Sequence, residues 1–298
     1  KQMLIIAGYD ARLTWLGTKD LPYTYELQSL VVDNHMICTV YLDGSPVFLD
    51  PTEKYIDIYN YAYRIQGKEA MIEDGENYII EKIPESPYTE NNEVLNLSLE
   101  FENDHLVGNG QNTYDGNRKS ELYYYLGNTP KKEWKERIES FLSSYNKNIV
   151  ATLTNEPSTE DRSKTIQFDF DVVIKNAITD VGSEKYFTPE YDFFFKDFEM
   201  EEDREVDYMF NNVYSLKYKT SIEIEEGWDV QYLPESLDID NDQYAFKLNY
   251  KVDGNQIIYS KELNIKDALL KVSAFENWNA DIASLDAFYN DQIILKKN

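Results

Sequence analysis

The chain has 298 residues, and its 29 lysines and arginines against 55 aspartates and glutamates give a net charge of −26. This charge repels nucleic-acid phosphates and no basic cluster offsets it, so nucleic-acid binding is excluded. The single cysteine excludes an internal disulfide framework and a cysteine-based metal cluster, and the longest apolar run, residues 3–7, is too short to span a membrane.

The first residues are predicted to form the end of a helix followed by a strand. The apolar side chains of residues 3–7 fall on a helical stripe, and Gly8 is a typical residue at a helix C-terminus. The strand is predicted at residues 11–16. Because nothing caps the start of this helix, we expect the sequence to be cut from a longer protein.

A β-hairpin is predicted next. Residues 34–42 form one strand, Asp43-Gly44 the turn and residues 45–50 the returning strand. Pro51 ends the second strand because its nitrogen cannot donate to a strand ladder.

The remainder of the chain divides near residue 88. The tyrosine-rich stretch 55–78 has a mixed pattern, and two prolines within residues 83–87 mark a boundary. Helices are predicted within residues 117–145, with a second helix starting at Pro130, and at residues 275–288. Strands are predicted at residues 94–101, 106–113, 149–155, 165–175, 216–225, 243–252, 256–264 and 292–295. The sequence therefore predicts an α+β protein whose second domain, residues 89–298, is β-rich and sandwich-like with a few helices.

The hairpin carries the candidate catalytic residues His35 and Asp50. With a two-residue turn at Asp43-Gly44, Asp50 lies opposite Ile37, and His35 is its diagonal neighbour on the same face of the sheet. An aspartate there can fix the tautomer of the imidazole and stabilise its cation, as in a nucleophile–base–orienter triad. The alternative is a hairpin with one polar pair near its end and no chemistry.

Cys38 is not predicted to be the nucleophile. It lies three residues from His35 along one strand, so its side chain points to the other face of the sheet. We expect a packed core cysteine.

Residues 35–52 combine a histidine, a strand, an Asp-Gly turn and Leu-Asp-Pro-Thr, and this hairpin resembles that of the transglutaminase-like superfamily. More closely, the chain resembles bacterial transglutaminase-domain proteins with extra β-rich domains, the DUF3857/DUF3858 group. Residues 1–8 resemble the end of the helix that carries the nucleophilic cysteine at its start. Further similar stretches are residues 33–35 and 49–55 in the first domain, and residues 227–228, 233–236, 244–259 and 291–296 in the C-terminal β domain.

The resemblance implies that residues 1–88 are the C-terminal part of a papain-type, transglutaminase-like domain and that residues 89–298 are DUF3858-like. It makes His35 the general base and Asp50 its orienting partner. In this family a cysteine attacks an amide or ester carbonyl of a peptide or protein to form a thioester. We expect that cysteine upstream of Lys1, so the chain as given is expected to be inactive. The family also implies a bacterial periplasmic or cell-envelope location. We expect no cofactor and no metal at the His35–Asp50 site.

Two other functional classes stay open. The chain is alternatively a non-catalytic module whose acidic, tyrosine-rich β surface binds glycan or protein, or a catalytically dead family member. The tyrosines at residues 123–125 and the phenylalanines at residues 193–195 are candidate sugar platforms, with half-buried packing as the alternative. The acidic run 199–203 is predicted to be a solvated loop.

Two short stretches resemble a calcium-binding loop and a dinucleotide-binding loop but lack required residues. Residues 238–242 begin like a calcium loop, but the sixth position is Gln243 and the twelfth is Asn249, so an EF-hand is excluded and an acidic turn is favoured. Calcium binding of another kind there stays open. Residues 108–110, Gly-Asn-Gly, are followed by Thr113 instead of a third glycine, so they predict a turn or bulge instead of a dinucleotide site.

Overall fold

The computed structural model of the chain describes residues 1–26, 29–155 and 163–298. Two compact units are present, Lys1–Pro87 and Tyr88–Asn298. Strands predominate over helices in these residues, so the predicted β-rich α+β class is confirmed. Among the described residues, no helix has the length and apolar character needed to cross a membrane.

Outside residues 27–28, the first unit contains a short α-helix, a 3₁₀ turn and one antiparallel sheet. The helix α1 spans Gln2–Ile6, and Gly8 follows it with a φ of +91°, a left-handed conformation that glycine adopts without strain. The sheet has the order β3-β2-β1-β4-β5. Its strands are β1 Asp10–Leu16, β2 His35–Leu42, β3 Ser45–Leu49, β4 Glu69–Asp74 and β5 Asn77–Lys82.

The hairpin of β2 and β3 has the predicted turn and register. Asp43 and Gly44 have φ values of +50° and +82°, and Leu42 pairs with Ser45. Positive φ at both central residues matches the right-handed twist of the flanking strands, which is why Asp-Gly sequences favour this turn. In this register Asp50, which directly follows β3, lies on the same face of the sheet as His35 and Ile37.

The core of the first unit lies on one face of this sheet. Leu16, Ile37 and Phe48 project from three strands and pack against Ile65 of the loop that follows β3. Strands β4 and β5 were not predicted. Residues 70–72 of β4 are all buried, so the alternation that reveals a half-exposed strand is absent there.

In its described residues, 88–155 and 163–298, the second unit contains three helices, three sheets and several short 3₁₀ turns. The helices are α2 Gly116–Leu126, α3 Trp134–Ser143 and α4 Phe275–Asn290. The strands are β6 Asn92–Glu102, β7 His105–Tyr114, β8 Ile149–Leu153, β9 Ile166–Ile174, β10 Ile178–Asp180, β11 Glu184–Phe187, β12 Tyr208–Met209, β13 Tyr214–Glu223, β14 Trp228–Tyr232, β15 Leu237–Asp240, β16 Tyr244–Asp253, β17 Gln256–Ile265, β18 Leu269–Leu270 and β19 Ile293–Lys297.

The largest sheet has eight strands in the order β15-β16-β17-β13-β6-β7-β9-β8. Strands β6 and β13 pair in parallel, and the other neighbours in this sheet are antiparallel. Alternation along β6 sets its orientation: Leu95 and Leu97 are buried, whereas Asn96 and Ser98 are exposed. The two smaller sheets have the orders β10-β11-β19-β14 and β12-β18.

The turn or bulge predicted at residues 108–110 is wrong. These residues lie in the middle of β7, between β6 and β9. A Cβ at Gly108 would stand 1.9 Å from the carbonyl oxygen of Ser98, and one at Gly110 would stand 2.5 Å from the ring of Phe170. The glycines are therefore explained by close approach of neighbouring strands.

A buried polar network lies within the second unit. The Glu93 carboxylate accepts hydrogen bonds from Tyr145 at 2.7 Å and Tyr218 at 3.1 Å. Nearby, the Lys261 ammonium contacts Glu190 at 2.8 Å and Asp192 at 3.0 Å, and all three side chains are at most 4% exposed. Pairing of this kind is what makes buried charges tolerable in a protein interior.

Candidate active site

His35 and Asp50 are brought into direct contact. His35 is the first residue of β2 and Asp50 directly follows β3. Their side chains meet with 2.8 Å between His35 Nε2 and Asp50 Oδ2. The His35 side chain is 15% exposed and that of Asp50 only 5%. A largely desolvated carboxylate beside an imidazole is the arrangement that orients a general base.

The second oxygen of Asp50 is held by the residue two positions on. Both the backbone N–H of Thr52, at 3.0 Å, and its hydroxyl, at 2.7 Å, donate to Asp50 Oδ1. Burial raises the pKa of the Asp50 carboxyl, but hydrogen bonds from Thr52 and His35 outweigh it, so this pKa lies below its usual value. Asp50 is therefore a carboxylate at neutral pH.

Arg64 completes the surroundings of Asp50 and was not identified from the sequence. Its Nη2 lies 2.7 Å from Asp50 Oδ2 and 2.9 Å from the hydroxyl oxygen of Thr52. The same guanidinium forms an ion pair with Glu53. Arg64 follows β3 at the end of a long irregular loop, where no periodicity marks it. The Asp-Pro-Thr order, in contrast, could have indicated the local Thr52 bonds, since such side chains commonly bond the backbone two residues away.

The chain segment before His35 is held by hydrogen bonds to β1 and its neighbouring loop. The Asn34 carboxamide accepts from the backbone N–H of Thr18 and donates to its hydroxyl, each at 2.9 Å. The Tyr25 hydroxyl contacts the Trp15 carbonyl oxygen at 2.9 Å and Asp33 Oδ2 at 2.7 Å. These bonds fix the position at which β2 begins, and thereby the position of the imidazole.

The contact with Asp50 selects one tautomer of His35. A carboxylate accepts hydrogen bonds only, so Nε2 carries the proton that it binds. In the neutral ring the lone pair is then on Nδ1. The arrangement can therefore supply a base at Nδ1 whose cation Asp50 would stabilise.

A cavity of about 350 Å³ lies beside Asp50. Its lining includes Lys1, Leu4, Cys38, Asp50 and Ile56. Cys38 pairs with Leu13 and Leu49 on the neighbouring strands and is half-buried, so the expectation of a packed core cysteine is wrong. Its sulfur is 3.8 Å from the carbonyl oxygen of Thr39, and strand alternation directs it away from the His35 face.

The candidate sugar platforms do not form flat aromatic surfaces. The three tyrosines lie in succession on α2, where Tyr123 is 4% exposed and Tyr124 is 48% exposed. Successive helical side chains point about 100° apart, so they cannot share a plane. In the other run Phe193 packs against Tyr289, whereas Phe195 is buried against Trp278.

The acidic stretch 238–242 lies partly in β15 and is paired with lysines. The Asp240 carboxylate contacts Lys247 at 2.5 Å and also pairs with Lys266, and their hydrogen bonds lower its pKa to about 2. Over residues 1–26, 29–155 and 163–298, no group of three or more histidine, cysteine, aspartate or glutamate side chains is placed to hold a metal ion.

One family model matches part of the second unit, and one solved structure matches nearly the whole chain. The sequence model of a domain family of unknown function, DUF3858, matches residues 184–295, from β11 to β19. No curated protein matches the chain. The chain is similar to the crystal structure of a "putative protease" from Parabacteroides distasonis, with 9% identity and a TM-score of 0.47. That match covers 99% of this chain and 41% of the other, so the chain spans about two fifths of that protein's length.

Proposed function

We propose that residues 1–88 form the histidine–aspartate part of a transglutaminase-like site for cysteine-dependent acyl transfer or amide hydrolysis on a peptide or protein. The observation that carries the proposal is the 2.8 Å contact between His35 Nε2 and Asp50 Oδ2. The sequence similarity of residues 35–52 to the hairpin of that superfamily supports it. The DUF3858 match in the second unit agrees with the same group of proteins.

His35 Nδ1 takes the proton from a cysteine thiol, and the thiolate attacks the amide carbonyl carbon. The carbon–nitrogen bond then breaks, and the leaving amine takes the proton from His35, which leaves a thioester. Water or a second amine attacks the thioester and releases the acyl group, and the sulfur recovers its proton. Asp50 stabilises the imidazolium in each step, and Arg64 acts as a positioning residue for Asp50.

The thiol is proposed to come from a residue upstream of Lys1. Cys38 lies three residues from His35 on the same strand, and its side chain points to the opposite face. Lys1 and Leu4 line the same cavity as Asp50, so chain that precedes Lys1 is near enough to contribute to it. In this proposal the 298-residue chain alone does not turn over substrate.

The test compares the 298-residue chain with a longer protein that includes its upstream sequence. Ammonia release from a glutamine peptide and incorporation of a labelled amine into casein are measured for both. We expect activity only in the longer protein, with loss by a thiol-alkylating reagent. In the longer protein, His35→Asn should lower the rate by about 10²–10⁴-fold, whereas His105→Asn, which changes the other histidine, should not.

Two results would overturn the proposal. Full activity of the His35→Asn variant would reduce the pair to a structural contact in a hairpin. Loss of activity in Cys38→Ser, with the fold retained, would mean that Cys38 supplies the thiol and that the assigned geometry is wrong.

A further inference from the structure

The second unit contains a cavity of about 410 Å³ with an aromatic wall. This volume lies in the range of small-ligand pockets. Its aromatic residues are Phe194, Phe195, Phe198, Tyr208, Phe210 and Tyr214.

The rings of this wall contact one another, and two of them also contact arginines of the chain itself. Tyr208 packs edge-on against Phe198 at 5.7 Å and Phe210 at 4.9 Å between ring centroids. The chain's own Arg204 lies 5.3 Å from the Tyr208 centroid, and Arg118 lies 5.8 Å from that of Tyr214. Both distances are within the range in which an aromatic ring attracts a cation.

The charge around the cavity is negative. Residues 199–207, which connect two wall residues, contain six acidic residues and one arginine. All six acidic residues are exposed, and the Glu121 side chain in the cavity lining is 48% exposed.

The nearby arginines offer little to an anionic ligand. Arg204 donates to the backbone carbonyl oxygens of Val206 at 2.9 Å and Asp207 at 3.2 Å. Arg118 is ion-paired with Glu93 at 2.5 Å and Glu121 at 2.7 Å. The exposed acidic residues would therefore repel an anionic ligand.

A sugar also finds few hydrogen-bonding groups at this cavity. Asn212 already contacts Asn117 at 3.2 Å and accepts from the backbone N–H of Val213 at 2.9 Å. Besides the hydroxyls of Tyr208 and Tyr214, the remaining polar lining groups are Arg118 and Glu121, which are paired with each other, and the exposed Asn211. Aromatic faces with an acidic rim suit a cation better than a polyol.

We propose that this cavity binds a lysine or arginine side chain of a basic peptide segment in a protein partner. The ammonium or guanidinium group lies against the half-buried Tyr208 ring, and the exposed acidic residues of the 199–207 segment supply most of the opposite charge, since Glu121 is also paired with Arg118. The proposal concerns the second unit and is independent of the chemistry assigned to His35 and Asp50.

The experiment titrates the full chain with a glycine–serine peptide that contains two lysines and two arginines. A matched peptide carries acetyl-lysine and citrulline in their place. Binding is measured by calorimetry at about 0.15 M salt, where long-range attraction is largely screened. We expect the basic peptide to bind and the neutral peptide to bind about tenfold more weakly or not at all.

Variants locate the binding site. Tyr208→Leu keeps an apolar side chain but removes the ring, and should weaken binding of the basic peptide by about tenfold. Tyr78→Leu, which changes a tyrosine 49% exposed in the first unit, should leave binding unchanged. Tyr208→Phe retains the ring and should retain binding, which keeps the test decisive if Tyr208→Leu does not fold. Glu121→Gln should weaken binding in the same direction.

Other outcomes would overturn the proposal. Equal binding of both peptides would make the cavity a site for apolar groups. Unchanged binding in Tyr208→Leu and Glu121→Gln would mean that the acidic surface attracts the peptide without the cavity. Binding of a chitin or cellulose oligosaccharide that Tyr208→Leu abolishes, together with no binding of the basic peptide, would make it a sugar site.

Discussion

At the scale of single residues, each carboxylate oxygen of Asp50 is bound by different neighbours. One oxygen is held by Thr52, and the other is shared by His35 and Arg64 at 2.8 and 2.7 Å. Arg64 and His35 thus compete for the negative charge of one oxygen. We infer that Arg64 limits how strongly Asp50 can stabilise the imidazolium, while it keeps the carboxylate in place.

The first prediction concerns Asp50→Asn. Its carboxyl has a lowered pKa in the folded chain, so its stabilising effect is complete above the ordinary value of 3.8 and is lost as pH falls through the lower folded pKa. At pH 7 we expect the substitution to lower the stability of the first unit by about 1–3 kcal/mol, because bonds to a charged group are lost. The difference from the unsubstituted chain should shrink below pH 4.

Urea unfolding, followed by the amide NMR signals of β1 to β3, measures this effect at pH 7 and pH 3. Asp43→Asn is the matched control, since Asp43 is exposed in a turn that asparagine also favours. A loss in Asp50→Asn that is equally large at both pH values would contradict the assigned protonation.

The second prediction concerns Lys261→Met. It leaves Glu190 and Asp192 buried without their cation, and we expect a loss of about 3–5 kcal/mol at pH 7. Burial already raises the pKa of Glu190, with Lys261 acting against it, so removal of the lysine raises that pKa further. Glu190 therefore protonates more readily in the variant, and the deficit in stability should be smaller near pH 4.5 than at pH 7.

Chemical denaturation of the second unit at these two pH values measures the difference. Lys247→Met, which breaks a surface pair with Asp240, is the control and should lower stability far less than Lys261→Met does. Equal losses in the two variants would mean that the Lys261 cluster is solvated.

At the scale of elements, a specific turn signal made one hairpin predictable, whereas continuous burial hid strand β4. The β2–β3 hairpin was predictable with its register because Asp43-Gly44 is a specific turn signal. Strand β4 was not predictable because Ala70, Met71 and Ile72 are buried in succession. Arg64 was not predicted to contact Asp50, because this contact depends on the path of an irregular loop.

The third prediction compares two glycines. Gly108→Ala places a Cβ 1.9 Å from the Ser98 carbonyl oxygen in a strand paired on both sides, so the backbone cannot yield without breaking a ladder. We expect a loss of at least about 2 kcal/mol, or failure to fold. Gly254→Ala meets no atom within 4 Å and bears only the strain of a φ of +62°, so about 1–2 kcal/mol is expected.

Thermal unfolding of the two variants in parallel tests this assignment. A milder effect at Gly108 than at Gly254 would show that conformational strain, and not the close approach of strands, explains these glycines.

At the scale of the whole molecule, the DUF3858 match and the compact second unit have different N-terminal limits. The match begins at residue 184 and the unit at Tyr88. Strands β13, β15, β16 and β17 of the large sheet lie within the matched residues, and β6 to β9 precede them. Glu93, on β6, also bonds Tyr218 on β13.

The fourth prediction follows from this difference. A fragment of residues 184–298 exposes the edge of β13 and removes the Glu93 partner of Tyr218, so we expect it to aggregate or to bind a dye that reports exposed apolar surface. A fragment of residues 88–298 keeps the sheet intact and should be monomeric with cooperative unfolding. Light scattering and urea unfolding of the two fragments check this, and a stably folded 184–298 fragment would refute it.

The parallel pairing of β6 with β13 also has a consequence for synthesis on the ribosome. Ser215 pairs with Asn92, so the partner of β6 is made 123 residues after it. At about 5–20 residues per second this interval lasts on the order of 6–25 s. Strand β7 is made directly after β6 and pairs with one of its edges. The other edge stays unpaired until β13 has been made. The nascent chain therefore carries an open strand edge for seconds, and this is the period in which we expect a chaperone to be most useful to it.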